Sequence, residues 1–424
     1  MNNKSAIIFI ISLTFFSLFL RLYRIGEPNH YYFDEVYHAV TAKAYADNNP
    51  APYDPFSPAP KEGTAYDWLH PPLAKLIQAG SIKIFGDVPI GWRTPSLVFG
   101  TALIPATFVL ALILFGPTAA VFASLSIAFE NLSFVMSRIT MNDVFLTFFV
   151  VMAFIFAALY AKSFKFKYLL LSSIFLGLAV ASKWPGLYAI GVIFLYILFL
   201  QFRNKKISWN LIILIIVPML LYLGSYGQYW IQGHTFAQFV DLNKQIWWYQ
   251  NRHDLVHSYG TTPLYCVPQG LDGPRKWCPW IFDIRGVYFS YEQYGSDKAG
   301  YIYALGNPLV FWIGLIGVSY LIGKAIEEKN KNIYLVLLGY FVFWAPWIFS
   351  PRILFLYHYL PSIPFLAVSL GYVLSLIYKT KFRALSFLII GLIIIVFFYF
   401  YPISSGFPIK ISDIDKFMLL KSWR

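Results

Sequence analysis

Long apolar runs, separated by short polar or basic stretches, divide this 424-residue chain. A segment needs about 20 apolar residues to cross a hydrocarbon layer of about 30 Å. Runs of this kind fall at 5–24, 92–115, 117–136, 141–161, 167–182, 185–202, 210–230, 307–323, 332–349, 353–378 and 384–402. They are continuous and do not alternate over ten residues, which predicts helices and not barrel strands. Splitting crowded regions at Gly116-Pro117 and Trp184-Pro185 gives about eleven spans. Lys4 followed by Ile7–Leu20 looks like a signal peptide. However, Arg21-Leu22-Tyr23-Arg24 follows where a small-residue cleavage site would stand, so an uncleaved first helix is expected.

Composition supports that division. Hydrophobic residues make up 58% of the chain, aromatic ones 20% and charged ones only 12%. Ordinary soluble domains run at about 45–50% apolar and about 25% charged. Together with a mean hydropathy of +0.60, this excludes a soluble globular enzyme, a disordered tail protein and a coiled coil. The formal charge of +13 would suit nucleic acid only on a polar surface, which the chain lacks. Its basic residues instead gather as Lys162/Lys165/Lys167, Arg203/Lys205/Lys206, Lys324/Lys329/Lys331 and Lys379/Lys381/Arg383. By the positive-inside rule these loops are cytoplasmic, as is the N-terminus. The four triplets hold twelve of the 33 Lys and Arg residues, so much of the net charge records topology.

Two long segments, 25–91 and 231–306, then fall outside the cytoplasm, and loops of that length are usually functional. The second holds both cysteines, Cys266 and Cys278. An oxidising exterior would allow a disulfide there, and two free thiols are the alternative. The residues Ile246-Trp247-Trp248-Tyr249, with Tyr288, Tyr291 and Tyr294, would line an acceptor groove or lie in the headgroup belt.

Ionisable residues close to the membrane are candidates for chemistry. Asp34-Glu35 stand about ten residues past the first span, where one acid could serve as a general base. His70-Pro71-Pro72-Leu73-Ala74-Lys75 predicts a helix starting at the prolines. Its Leu73, Ile77, Gly80 and Ile84 share one face and Lys75 and Gln78 another, the pattern of an interfacial helix. Lys75 would there meet a lipid phosphate or merely snorkel. Arg138 and Asp143 flank the mouth of the fourth span, where Asp143 also suits the helix dipole. Lys183 lies at an outer helix end. Arg352 opens the tenth span, with His358 roughly 9 Å deeper at helical rise. In this topology all nine residues fall at the outer face. Their cations suit a phosphate, and their acids suit proton removal beside an oxocarbenium-like sugar.

Here the sequence resembles the protein O-mannosyltransferases, glycosyltransferase family 39 of the C-type fold. The matching elements, in order, are the acids at 34–35, HPPLAK at 70–75, RITMND at 138–143, SKWPGLY at 182–188, LGNP at 305–308 and PRILFLYHYLPSIPF at 351–365. No lumenal repeat insert of the eukaryotic kind fits between 231 and 306, so the chain is similar to prokaryotic members. The resemblance implies an all-α polytopic membrane transferase, one domain over 1–424, with its site at the outer face of the cell membrane. It implies inverting transfer of mannose from a polyprenyl (dolichyl-type) phosphate to Ser or Thr hydroxyls of proteins. Asp34 would be the base and Glu35 would hold the acceptor. Arg138, Arg352 and His358, with Lys75, Lys183 and His70, would serve the donor phosphate and the organisation of the site, and Asp143 would orient Arg138. No metal cluster or cofactor is expected beyond the lipid-linked donor. Transfer to a lipid or glycan is the alternative acceptor reading. A lipid-linked sugar transporter is the alternative class, though no inverted repeat is evident.

Overall fold

A computed structural model describes residues 3–205, 207–252, 254, 260–267, 276–352 and 354–423; Lys206 and Ile353 of the motifs above lie outside them. The chain is mostly helical. By length and composition, eight of the described helices can cross a membrane. They include α1 (Asn3–Leu22), α4 (Pro89–Phe115), α7 (Asp143–Ser163) and α9 (Gly186–Arg203). Further along come α13 (Pro308–Glu328), Lys331–Phe349, Leu356–Tyr378 and α16 (Arg383–Ser405). The remaining expected spans correspond to shorter apolar helices, α5 (Pro117–Ala128), α8 (Phe166–Ser182) and Trp209–Ser225, so the count of eleven is not reached by this criterion. Residues 117–136 show why. α5 stops at Ala128, and the Glu130 carboxylate just beyond it accepts from Leu132 N at 3.0 Å and Ser133 N at 2.6 Å. It thereby starts a separate short helix, α6 (Asn131–Met136), because a side-chain acceptor satisfies the first amides of a new helix.

The core forms where small residues let helices approach. The last helix before the final span, α15 (Ile363–Tyr378), packs on α5. A Cβ on Gly371 would stand 2.6 Å from both Ala119 O and Ala123 N. Ahead of α15 the tenth expected span is not α-helical from its start. Residues Leu356–Ser362 form a 3-10 turn, since Pro361 and Pro364 deny amide donors and bias the preceding residues away from α geometry. Thr261 and Leu354 exchange two backbone bonds of 2.9 Å, which tie this segment to the second long loop, 231–306.

The first long loop, 25–91, carries α2 (Glu35–Ala46) and α3 (Leu73–Phe85), packed on each other. The second carries α12 (Phe236–Gln250) and two small antiparallel sheets, which an all-α expectation omits. Strands β1 (Gly260–Thr261), β2 (Tyr265–Val267) and β3 (Lys276–Trp277) form one sheet; Cys266 and Cys278 are bonded there, with Cα atoms 5.5 Å apart. The other joins β4 (Val287–Tyr294) and β5 (Lys298–Ala304) to β6 (Ile409–Lys410) from the C-terminal segment. That segment is held further along by Trp423 Nε1, which donates to Asp283 O at 2.6 Å.

Candidate active site

Asp34 stands at the entry to α2, where local geometry frees its side chain. Phe33 takes a left-handed turn with φ of 49°. Its ring stacks on Phe289 at 4.1 Å and meets the edges of Phe355 and Tyr357. The Asp34 carbonyl accepts from Tyr37 N and His38 N, both at 3.0 Å, while its carboxyl makes no capping bond. The Tyr357 hydroxyl donates to Oδ2 at 3.3 Å. Among the described residues no cation forms an ion pair with Asp34. Burial pushes its carboxyl above the usual value, partly offset by the charges of His38 and Lys183 and by the Tyr357 bond.

Beside it, α7 begins at Asp143 just as α8 ends before Lys183, so the two meet: Lys183 Nζ lies 2.8 Å from Asp143 Oδ1. Asp143 Oδ2 is buried without a hydrogen-bond partner. Lys183 also sits 6.0 Å above the Tyr357 ring. His358 stacks on Tyr357 at 4.7 Å, with Trp280 and Trp347 on its flanks. Its Nδ1 lies 3.1 Å from Phe355 O; a carbonyl there fixes the hydrogen on Nδ1, leaving Nε2 as an acceptor in the neutral ring. Asp143, Lys183 and His358 share a cavity of about 10 Å³ with Pro185, Trp347 and Pro361, room for about one water molecule. Arg352 lies further out, donating to Gln250 Oε1 at 2.8 Å and facing the Tyr249 ring at 5.6 Å. The fold therefore gathers Asp34, Asp143, Lys183 and His358 at Tyr357, with Arg352 further out against Gln250 and Tyr249.

The other expected residues point elsewhere. Glu35 is fully buried. Arg93 grips it from Nε at 2.9 Å and Nη2 at 2.8 Å, and Thr140 N donates at 3.1 Å. Both oxygens are taken, so the carboxylate turns into the protein and leaves no face for an acceptor. Arg138 is likewise spent. Its guanidinium donates to carbonyls at and just past the end of α1, those of Arg21, Tyr23 (2.8 Å) and Arg24 (3.2 Å), and to that of Ser405 (3.2 Å) at the end of α16, where helix carbonyls lack partners of their own. Asp143 pairs with Lys183 and does not orient Arg138.

Lys75 and His70 belong to a separate centre that sequence reading missed. Asp67, almost fully buried, lies 2.7 Å from Lys75 Nζ and 2.9 Å from His70 Nδ1. His38 Nδ1 of α2 is also 2.9 Å away, though off hydrogen-bond geometry. Asp67 N donates to Thr41 Oγ1 at 2.7 Å. The Asp67 carboxyl thus joins α2 to α3. Burial opposes its charge, but His70, Lys75 and His38 hold it well below the usual carboxylate range. Burial pushes His70 down to about 4, so Lys75 is the counter-charge at neutral pH. The polar side of α3 is therefore its buried side: Lys75 and Gln78 are 0% exposed, whereas Ile84 and Phe85 are exposed. One sequence signal for Asp67 was its place three residues before His70. For Arg93 it was a lone charge inside an apolar span.

A larger surface cavity of about 290 Å³ lies on the Val40, Lys43, Ala44 and Asp47 face of α2. It touches none of the residues gathered around Tyr357. Among the described residues no group of three His, Cys, Asp or Glu side chains is placed to hold a metal ion.

Comparison with known proteins places the chain in a family. Residues 11–233 match the family model described as dolichyl-phosphate-mannose-protein mannosyltransferase, and residues 235–423 that of the C-terminal four-helix transmembrane region of protein O-mannosyltransferase. A polyprenol-phosphate-mannose–protein mannosyltransferase of Corynebacterium glutamicum is 23% identical over 427 residues, covering 84% of this chain and 81% of that protein. Among solved structures, the Saccharomyces cerevisiae protein O-mannosyltransferase Pmt1-Pmt2 complex bound to the sugar donor aligns with a TM-score of 0.74. It shows 17% identity and covers 100% of this chain and 93% of that one. ArnT from Cupriavidus metallidurans in the apo state aligns at 0.59 with 13% identity, over 92% and 62% of the two chains. The likeness to both structures confirms the C-type fold, and on the two family matches the chain belongs to the dolichyl-phosphate-mannose–protein mannosyltransferase family.

Proposed function

We propose that this chain transfers mannose from a polyprenyl (dolichyl-type) phosphate to Ser or Thr hydroxyls of proteins, with inversion, at the extracytoplasmic face of the cell membrane. One observation carries the assignment of the base. Glu35, Asp67 and Asp143 are each held by a cation, whereas among the described residues Asp34 has only the Tyr357 hydroxyl. A carboxylate without an ion pair, with its basicity raised by burial, suits removal of an acceptor proton. As the proton moves to Asp34, the hydroxyl oxygen bonds to the anomeric carbon and the bond from that carbon to the phosphate oxygen breaks. Lys183 and Arg352 stabilise the charge left on the lipid phosphate. His358 organises the site by stacking on Tyr357 and lining the cavity shared by Asp143 and Lys183. Glu35 and Arg138 act as positioning residues, through Arg93 and the end of α1. The cytoplasmic N-terminus rests on the basic triplets.

The test is purified protein with labelled polyprenyl-phosphate mannose and a Ser/Thr-rich peptide, wild type beside Asp34→Asn. Labelled peptide is expected from the wild type and near-complete loss from the variant. Full transfer by a folded variant would remove the proposed base, and label in lipid or glycan with the peptide unlabelled would overturn the protein acceptor.

A further inference from the structure

At the end of the bundle away from Asp34 the structure assembles three cations from three different loops. Asp143 and Lys162 stand near opposite ends of α7, about 29 Å apart along its axis at helical rise, so Lys162 belongs to the other membrane face. Lys162 Nζ donates to Ile113 O near the end of α4. Lys331 Nζ, at the start of α14 (Lys331–Phe341), donates to Ala161 O near the end of α7 at 2.5 Å. Arg203, which closes α9, donates from Nη1 to Lys329 O at 3.3 Å, just past α13. Lys331 is half-buried, and Lys162 and Arg203 lie near enough for their charges to act on it. The acids of the same loop are engaged elsewhere: Glu327 and Glu328 both pair with Lys324. Among the described residues no carboxylate forms an ion pair with Lys162, Arg203 or Lys331.

Capping of helix C-termini explains one bond for each cation. It does not explain why three like charges stand together, since separate helix ends could be capped by cations kept apart. Among the described residues each cation gives one bond to a carbonyl, whereas a lysine has three donors and an arginine five, so most donors of the cluster remain for an anion. The site lies at a membrane face, between helix ends, where basic pockets receive phospholipid headgroups. We infer that Lys162, Arg203 and Lys331 form a binding site for the phosphate headgroup of an anionic phospholipid, at the face opposite the proposed chemistry.

The experiment uses the full chain in detergent, titrated with phosphatidylglycerol, with phosphatidylcholine or with inorganic phosphate alone. Unfolding temperature and retained lipid adducts in native mass spectrometry are the readouts. Wild type is expected to be stabilised by phosphatidylglycerol, less so at high salt, and to keep one such lipid through mild activation. The combined Lys162→Gln, Arg203→Gln and Lys331→Gln variant is expected to bind it about 100-fold more weakly, from the loss of three surface cations. Lys162→Arg with Lys331→Arg should retain binding, which keeps the test open if the neutral variant folds poorly. An equal effect of phosphatidylcholine, an unchanged response in the neutral variant, or lost binding in a folded arginine variant would overturn the inference. Stabilisation by inorganic phosphate equal to that by the lipid would overturn the lipid as its source.

Discussion

Glu35→Gln separates a positioning acid from a reacting one. Glutamine keeps the length of Glu35 but replaces one oxygen with an amide nitrogen. Because Arg93 approaches both oxygens, at 2.9 and 2.8 Å, one of its contacts becomes donor against donor. The guanidinium then keeps the amide oxygen and the carbonyls of Ile25, Pro28 and His30, but its buried charge has lost its counter-ion. Removing one partner of a buried pair costs about 3–5 kcal/mol. The loss falls on the loop between α1 and α2 and on the Thr140 amide, all of which Glu35 and Arg93 hold together. The unfolding temperature of Glu35→Gln in detergent is therefore expected to fall by several degrees. Mannosyl transfer per folded molecule, measured well below that temperature, should persist in part. Asp34→Asn should behave in the opposite way, folded but inactive. Replacing both partners, Glu35→Leu with Arg93→Met, should recover part of the lost stability, since an apolar pair avoids a buried lone charge. A Glu35→Gln protein as stable as wild type yet devoid of transfer would refute the positioning role.

Further outcomes follow from the same geometry. The carboxyl of Asp34 is raised by burial, so transfer should be lost as pH falls through a value above the ordinary 3.8, read as the acid limb of kcat/KM. The same sign means that its protonated form favours the fold and that this contribution fades as pH rises. Asp34→Asn should therefore be no less stable than wild type at neutral pH, as thermal unfolding would show. Asp67 has the reverse sign: its depressed carboxyl stabilises the fold above the ordinary carboxylate value, and that contribution is lost as pH falls through the lowered one. Asp67→Asn should cost about 3–5 kcal/mol at neutral pH by leaving Lys75 buried without its partner, visible as a lower unfolding temperature and faster proteolysis between α2 and α3. Arg138→Gln should loosen the end of α1 and lower the unfolding temperature while leaving KM for the lipid donor within about twofold of wild type; a rise in KM alone would return Arg138 to the phosphate.

The pattern of apolar runs alone determined that the chain is a helical membrane protein, because backbone amides in hydrocarbon must bond within their own segment. The motifs at 34–35, 70–75, 138–143 and 351–365 likewise carried the family. The length of each run was less informative, since a single buried acid, Glu130, starts a new helix inside one of them by capping it. Nor does a motif show where its side chains point. Asp34 and Glu35 are neighbours, yet one meets Tyr357 and the other Arg93, because successive side chains at a helix start diverge around its axis. Lys75 and Arg138 are cations in an outer loop by sequence, but the tertiary structure turns them onto Asp67 and the carbonyls that end α1. Sequence settles which residues are costly to bury. Only the packing of α2, α3, α7 and the 3-10 turn at Leu356–Ser362 decides that Glu35, Asp67 and Asp143 meet that cost with a cation, while Asp34 meets the Tyr357 hydroxyl.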